Sequence, residues 1–249
     1  MMHGGLFNIL GSVDSTNNYA MAIVHEGLAN HGMAWYANEQ TAGKGQRGKQ
    51  WQSQPGSNII LSIALQPGPV FAGNPFYLSA LAAIGCIEFL QKISNEKFYI
   101  KWPNDLYWRD RKTGGILIEN NYSGTNWNWA VLGIGINVNQ KEFATDLQQA
   151  TSLAQITGKE NLDPLVLAQE LYAYIIQKFN AAKQDGFNIL LQQYNDILYK
   201  KDETVRLKKE NAVFSTTIKG VNKFGQLITQ DSLQRAFNFG EVQWIPERT

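Results

Sequence analysis

The run Ser57–Leu65 (SNIILSIAL) offers no polar face to solvent. A half-buried strand alternates apolar with polar; a continuous apolar strand has to be covered on both faces. Helices able to supply that cover are legible nearby. Asn74-Pro75 is a cap residue followed by proline at the first helical position, and it opens an apolar helix to about Ile93. Asp163-Pro164 repeats the device, with Leu165, Ala168, Leu171, Ile175 and Phe179 following at helical spacing. Near the N-terminus an entry strand leads to a helix capped by Asp14 or Ser15 and running to about Val24. Met33–Asn38, Phe98–Trp102, Ile116–Asn120 and Asn128–Asn137 read as further strands.

The texture changes near residue 200. Thr204–Lys208, Val213–Val221, Leu227–Gln230, Arg235–Phe239 and Val242–Ile245 are short segments of alternating polarity separated by turns such as Asn222-Lys223-Phe224-Gly225. This predicts a small β-barrel over residues 200–249, behind a larger unit of residues 1–199. With 44% hydrophobic and 17% charged residues, the 249-residue chain is too apolar to be disordered. Lys and Arg number 22 against 21 Asp and Glu, so no overall field favours nucleic acid or an anionic membrane. Cys86 is the lone cysteine, set in an apolar stretch, which fits a buried thiol and a reducing, cytoplasmic setting. His3, His25 and His31 share no ligand spacing, so no protein-held metal is expected. No stretch reaches about 18 apolar residues, and the start has no basic n-region; no membrane span and no signal peptide are expected.

Three stretches could carry chemistry. Gly43-Lys44-Gly45-Gln46-Arg47-Gly48-Lys49 matches a dinucleotide fingerprint by letter, but Pro55, Gly56 and a strand follow instead of a helix, and no acid stands about 20 residues on. It falls short of a phosphate-binding Walker loop because position 50 is Gln. What survives is three glycines that let backbone approach a ligand, amides that could form an anion-binding nest, and three cations with no acid among them. Lys101-Trp102-Pro103-Asn104-Asp105 leaves a strand at a turn, and Lys112-Thr113-Gly114-Gly115 sets a lysine at the entrance of the next. Gly133 and Gly135, at i and i+2 in Gly133-Ile134-Gly135-Ile136-Asn137, bare one face of a strand, which suits a flat ligand. Together they describe a smooth-floored groove, a cationic flap and one poised lysine. No Ser/His/Asp set and no paired carboxylates accompany them, so electrostatic stabilisation of a reacting anion is the expected chemistry.

These residues, with Asp14-Ser15-Thr16-Asn17 and Gln40-Thr41-Ala42 ahead of the loop, resemble the biotin protein ligases (biotin–[acetyl-CoA-carboxylase] ligases) in order and spacing over about residues 14–140. The resemblance implies an α+β fold with a mixed sheet flanked by helices, the class II synthetase-like or biotin–lipoate ligase fold. It implies that biotin and MgATP give biotinyl-5'-AMP and pyrophosphate, after which a lysine of a biotin carboxyl carrier protein takes the biotin. By motif position, Ser15, Thr16, Asn17 and Gln40 line the biotin ring. Lys44, Gly45 and Gln46 close over its carboxyl, and Gly115, Gly133 and Gly135 floor the pocket. The adenylate falls to Gly43, Lys44, Arg47, Gly48, Lys49, Trp51, Asn104 and Asn137, with Mg2+ carried by ATP. Lys112 bridges the biotin carboxylate and the α-phosphate, and Asp105 holds or deprotonates the acceptor lysine. Trp51 or Trp102 could stack on a ring, though Trp102 reads better as core.

The family loop commonly carries Arg where this chain has Lys44 and Gln46; Lys loses bidentate geometry and Gln loses the charge. Few residues precede Ser15, so a monofunctional enzyme without a DNA-binding domain is expected, as a monomer or as a homodimer paired through an exposed strand near Asn128–Asn137. The flap is expected to be mobile until ligand binds. Lipoate ligase or octanoyl transferase, a non-catalytic biotin or nucleotide sensor, and a nucleic-acid binder are the alternatives. The Gly-x-Gly-x-Asn strand, intact Lys112 and Asp105, and the neutral net charge weigh against them in turn.

Overall fold

A computed structural model describes residues 6–144, 149–183 and 186–245. Seven strands form one mixed sheet: β1 (Phe7–Val13), β2 (Ala34–Gln40), β3 (Asn58–Leu65), β4 (Tyr99–Lys101), β5 (Asp105–Trp108), β6 (Arg111–Ser123) and β7 (Asn126–Asn137). Their spatial order is β1-β2-β3-β7-β6-β5-β4. Only β1 and β2 run parallel; the other pairs are antiparallel. The expected mixed sheet flanked by helices is what forms.

All eight residues of β3 are buried. Helix α3 (Pro75–Ser94) and helix α5 (Pro164–Ala181) join Ile59, Leu61, Ile63 and Leu65 in the main core. Each such side chain removed from water stabilises by roughly 1.5–3 kcal/mol. On the opposite face, α1 (Thr16–His25) packs Ala20 and Val24 against Ala64, Trp35 and Val131. Two shorter helices, α2 (Gly68–Phe71) and α4 (Leu153–Thr157), and a third, α6 (Phe187–Asp196), were not legible as periodic segments.

By length and composition alone α3 is long and apolar enough to cross a membrane. Two thirds of its apolar window is buried inside the protein, which makes it a core helix. The caps divide by what their side chains touch. Asp163 accepts from the amides of Leu165 and Val166. Ser15 and Asn74 hold the cap positions with no side-chain capping bond, and the Asn74 amide donates to Lys223 O at 3.2 Å instead.

The C-terminal expectation needs correcting. Strands β8 (Thr204–Lys209), β9 (Ala212–Val221), β10 (Leu227–Gln230), β11 (Gln234–Phe237) and β12 (Gln243–Ile245) form an antiparallel sheet in the order β11-β10-β9-β8-β12. It is an open sheet, not a closed barrel. Its edge strands, β11 and β12, stand at opposite ends of the order and do not pair with each other.

The Asn128–Asn137 strand is a second correction. Ala130–Asn137 pairs with β3 on one side and with β6 on the other, so it is interior, not an exposed edge. Only Asn126–Trp129 reaches past the end of β3.

Candidate active site

Strand register builds the site. Asp105 on β5 stands opposite Gly115 on β6, Gly115 opposite Gly135 on β7, and Gly135 opposite Ile60 on β3. The neighbouring row runs Leu117, Gly133, Ser62. Residues directly opposite share a face of the sheet, so three glycines lie on one patch of it. This patch is the floor of a cavity of about 850 Å³.

What rests on the floor is the protein's own side chains. A Cβ at Gly135 would come within 2.6 Å of the Trp51 ring, and one at Gly133 would overlap the Asn17 amide. Thus Trp51 and Asn17 reach the backbone of β7 only because those positions lack a side chain. The Trp51 indole nitrogen is buried and has no hydrogen-bond partner among the described residues.

One end of the cavity is lined by uncharged polar side chains backed by an ion pair. Gln40 Oε1 accepts from the Thr16 amide at 2.7 Å and from the Thr16 hydroxyl at 3.1 Å. Ser62 Oγ lies 2.7 Å from Thr16 Oγ1 and 2.6 Å from Asn17 Oδ1. The Asn17 amide donates to Glu119 Oε2 at 2.9 Å, and Glu119 Oε1 pairs with Lys44 Nζ at 3.2 Å. Ser15, Thr16 and Asn17 are all nearly fully buried, and all three line the cavity. Sequence reading missed Ser62 and Glu119. A hydroxyl inside the otherwise apolar β3 was the available signal for the first.

Lys112 and Asp105 occupy the middle. Their charged atoms are 2.7 Å apart, and both side chains are about one-third exposed. A register shift between Leu106 and Tyr107 sets the β5 partners of β6 at this point. The Lys112 backbone is pinned on its other side by Gln149 O and the Thr151 amide. Its ammonium lies 5.7 Å from the Trp51 ring centre.

The basic loop is a compact turn. The Gly45 amide donates to Lys49 O, the Lys49 amide to Gln46 O and the Trp51 amide to Gly43 O. Those three amides are committed within the loop, so the anion-binding nest read from the glycines is not formed by them; the positive charge is presented by side chains. Arg47 sits at φ 56°, ψ 40°, within a 3-10 turn over Gln46–Gly48. Three tethers hold the loop: Lys44 to Glu119, the Gln46 amide to Ile116 O at 3.4 Å, and Arg47 Nη1 to Gly240 O at 2.8 Å. Lys44, Gly45, Gln46, Arg47 and Lys49 line the cavity; Gly43 and Gly48 are not on its wall.

Asn104 and Asn137 also line the cavity, and each spends its amide on structure. The Asn104 side chain donates to Ile116 O and that of Asn137 to Thr151 O. Trp102 is 4% exposed, donates to Gly225 O at 2.9 Å and precedes a cis proline at Pro103. It is packed as core while one edge faces the cavity. The C-terminal sheet closes the far end through Phe239, Gly240, Val242, Gln243 and Trp244. On the same sheet Arg235 pairs with Asp231 at 3.2 Å.

Sequence reading also passed over Lys101. It lines the cavity at the end of β4, and burial lowers its ammonium to about pKa 8, with Asp105 pulling the other way. Burial likewise pushes the Cys86 thiol up, away from reactivity.

An α+β sheet whose glycine floor lies beneath a cationic loop and a lysine–aspartate pair defines a class: enzymes that bind and activate a carboxylic acid. A sequence profile of the Biotin/lipoate A/B protein ligase family matches residues 10–137. The bifunctional ligase/repressor BirA of Escherichia coli K12 is 30% identical over 244 residues, covering 97% of this chain and 74% of that protein. The biotin–[acetyl-CoA-carboxylase] ligase of Mycobacterium tuberculosis is 32% identical over 182 residues, 71% of this chain and 66% of that one. Among solved structures, the biotin protein ligase from Aquifex aeolicus in complex with biotin and ATP superposes with a TM-score of 0.81 at 27% identity, over 97% of this chain and 99% of that one. The chain belongs to the biotin/lipoate A/B protein ligase family.

Proposed function

We propose that the chain is a biotin protein ligase that forms biotinyl-5'-AMP from biotin and ATP and then transfers biotin to a lysine of a biotin carboxyl carrier protein. The observation that carries this reading is the order of groups along one cavity. An uncharged hydrogen-bonding end at Thr16, Asn17 and Gln40 leads over bare glycine backbone to the Lys112–Asp105 pair. A ring with amide-like polar groups fits the first; a carboxylate approaching a phosphate fits the second.

In the first step a biotin carboxylate oxygen bonds to the α-phosphorus and the bond to the pyrophosphate oxygen breaks. Lys112 offsets the repulsion of the two anions and stabilises charge growing on the phosphorus oxygens. Its partner Asp105 fixes the direction of the ammonium. Lys44, Gln46, Arg47 and Lys49 cover the junction and exclude water. Trp51 shields the acyl carbon and offers its free indole N–H. In the second step the acceptor amine attacks that carbon, AMP leaves, and the amine's proton passes to Asp105.

Mg2+ enters with the nucleotide. Among the described residues no group of three or more His, Cys, Asp or Glu could cage a metal, whereas a polyphosphate brings its own oxygens. We divide the chain into a catalytic unit of residues 1–199 and a C-terminal unit of 200–249 that seals the nucleotide end. The reaction belongs in the cytoplasm, where Cys86 stays reduced. The test is biotin-dependent pyrophosphate release from ATP, followed by label transfer to a carrier domain, with lipoate as control. Equal turnover with lipoate, or none with biotin, would overturn the reading.

A further inference from the structure

We propose that Lys101 is a second catalytic cation, the one that receives the departing pyrophosphate; this rests on the ligase reading above. Strand order fixes its place. The sheet runs from β2, which carries Gln40, through β3, β7 and β6 to β5 and β4. Lys112 is on β6, and Lys101 is on β4, two strand spacings further from the uncharged end, about 10 Å. Register places Lys101 opposite Asp105, in the row that runs on through Gly115 and Gly135, so a ligand lying over that glycine row extends toward Lys101. In activation, the part that continues past the α-phosphorus is the pyrophosphate.

The surroundings of Lys101 suit an incoming anion and little else. Its Nζ donates to the Tyr107 hydroxyl at 3.2 Å, and lies 4.6 Å from the Tyr107 ring centre, 5.1 Å from that of Trp244 and 5.6 Å from that of Tyr199. Among the described residues no carboxylate comes within 4 Å of it, although Lys112, two strands away, has one at 2.7 Å. Lys101 is a half-buried cation on the cavity wall, held against aromatic faces with Asp105 as its cross-strand neighbour, and an anion entering the cavity meets it there. Other groups that set its charge are Asp105 and Asp110, which favour the ammonium, and Lys112 and Lys49, which oppose it. Burial, the largest influence, puts its titration at about 8.

The bond changes are those of activation. The acid's oxygen joins the α-phosphorus, the α–β bridging P–O bond breaks, and its electron pair goes to the pyrophosphate oxygen. Lys101 stabilises the charge that appears there and has no part in the attack of the acceptor amine, whose leaving group is AMP. The two half-reactions therefore separate its role from that of Lys112.

The test uses the full chain as Lys101→Met and Lys101→Arg. Expected for Lys101→Met are a fall of about 100-fold in biotin-dependent pyrophosphate release and about tenfold weaker binding of inorganic pyrophosphate. Transfer from preformed biotinyl-5'-AMP to a carrier domain should stay within about twofold, which also reports that the variant is folded. Lys101→Arg, which keeps the positive charge, should keep release within about tenfold. Unchanged release, equal loss in both half-reactions, or unchanged pyrophosphate affinity would overturn the proposal. Should Lys101→Met not fold, Lys101→Gln is read by the same three measurements, and unchanged release or unchanged pyrophosphate affinity in it would do the same. If wild type released no pyrophosphate with biotin, the ligase reading would fail, and the pyrophosphate-binding arm would still decide whether Lys101 is an anion site.

Discussion

The Lys112 ammonium and the Asp105 carboxylate stand 2.7 Å apart across adjacent strands, over the glycine backbone of Gly115. A Cβ at Gly115 would lie 3.3 Å from Asp105 Oδ1 and 3.5 Å from Lys112 Nζ, so the pair fills the space that the glycine leaves. An ion pair of this exposure adds little to stability. In the proposed mechanism its value is orientation: one carboxylate holds the cation for the first step and takes a proton in the second.

Removing Lys112 should therefore damage activation. Lys112→Met is expected to slow pyrophosphate release by about 10²–10³, while Asp105→Ala is expected to act chiefly on transfer from preformed adenylate. Single-turnover assays of each half-reaction check both. Wild-type transfer by Asp105→Ala would remove its assigned role as base.

Gln46 stands where the family loop commonly has arginine, and its Oε1 is buried without a partner. Gln46→Arg should add a charge-assisted hydrogen bond over the phosphate and lengthen retention of the adenylate by roughly tenfold. The dissociation rate of labelled biotinyl-5'-AMP measures this directly. A rate no slower than wild type would leave the substitution without consequence.

Gly135→Ala drives a methyl group into the Trp51 ring. Overpacking of this kind typically destabilises by about 1–3 kcal/mol, and displacing Trp51 should raise KM for biotin by tenfold or more. Thermal unfolding and steady-state kinetics separate the two effects. Trp51→Ala in the same chain should relieve the strain without restoring KM.

Ser62 is fully buried between Thr16 and Asn17. Ser62→Ala leaves both polar groups short of a partner, at about 1–3 kcal/mol, and frees the Asn17 amide to turn. Chemical denaturation should report the loss, together with weaker biotin binding and an unchanged rate of transfer from preformed adenylate.

Lys101 also carries a pH signature in stability. Its folded pKa is lowered from 10.5 to about 8, so between those values the unfolded chain holds more proton than the folded one. Stability then rises with pH across that interval. The penalty for burying the ammonium is fully present below pH 8 and gone above about 10.5. Lys101→Met should accordingly gain stability over wild type at pH 7, and the gain should shrink as pH rises toward 10.5, as read by denaturant midpoints.

How much of this was legible in the sequence follows from the range of each signal. Local chemistry spoke clearly: the apolar run of β3, the Asp163-Pro164 start of α5 and the paired glycines of β7 each depend on neighbours within a few residues. The same locality misled at Ser15, which occupies a cap position while its side chain belongs to the cavity wall. It also misled at Asp105–Trp108, where a turn former begins a strand because β4 and β6 lie alongside to complete its ladder. The C-terminal strands were readable as strands, but whether five strands close depends on edge lengths and pairing that no single segment encodes.

By itself, the sequence determined which segments alternate, which must be covered on both faces, and which residues carry charge beside glycine. Tertiary structure alone decided that Lys101, Asp105, Gly115 and Gly135 share one row across the sheet, that Glu119 ties Asn17 to Lys44, and that Arg47 reaches Gly240 from 193 residues away. The physical reason is that hydrogen-bonded register and burial are pairwise properties of distant segments. A side chain's neighbours, and with them its charge state, exist only once those segments have met.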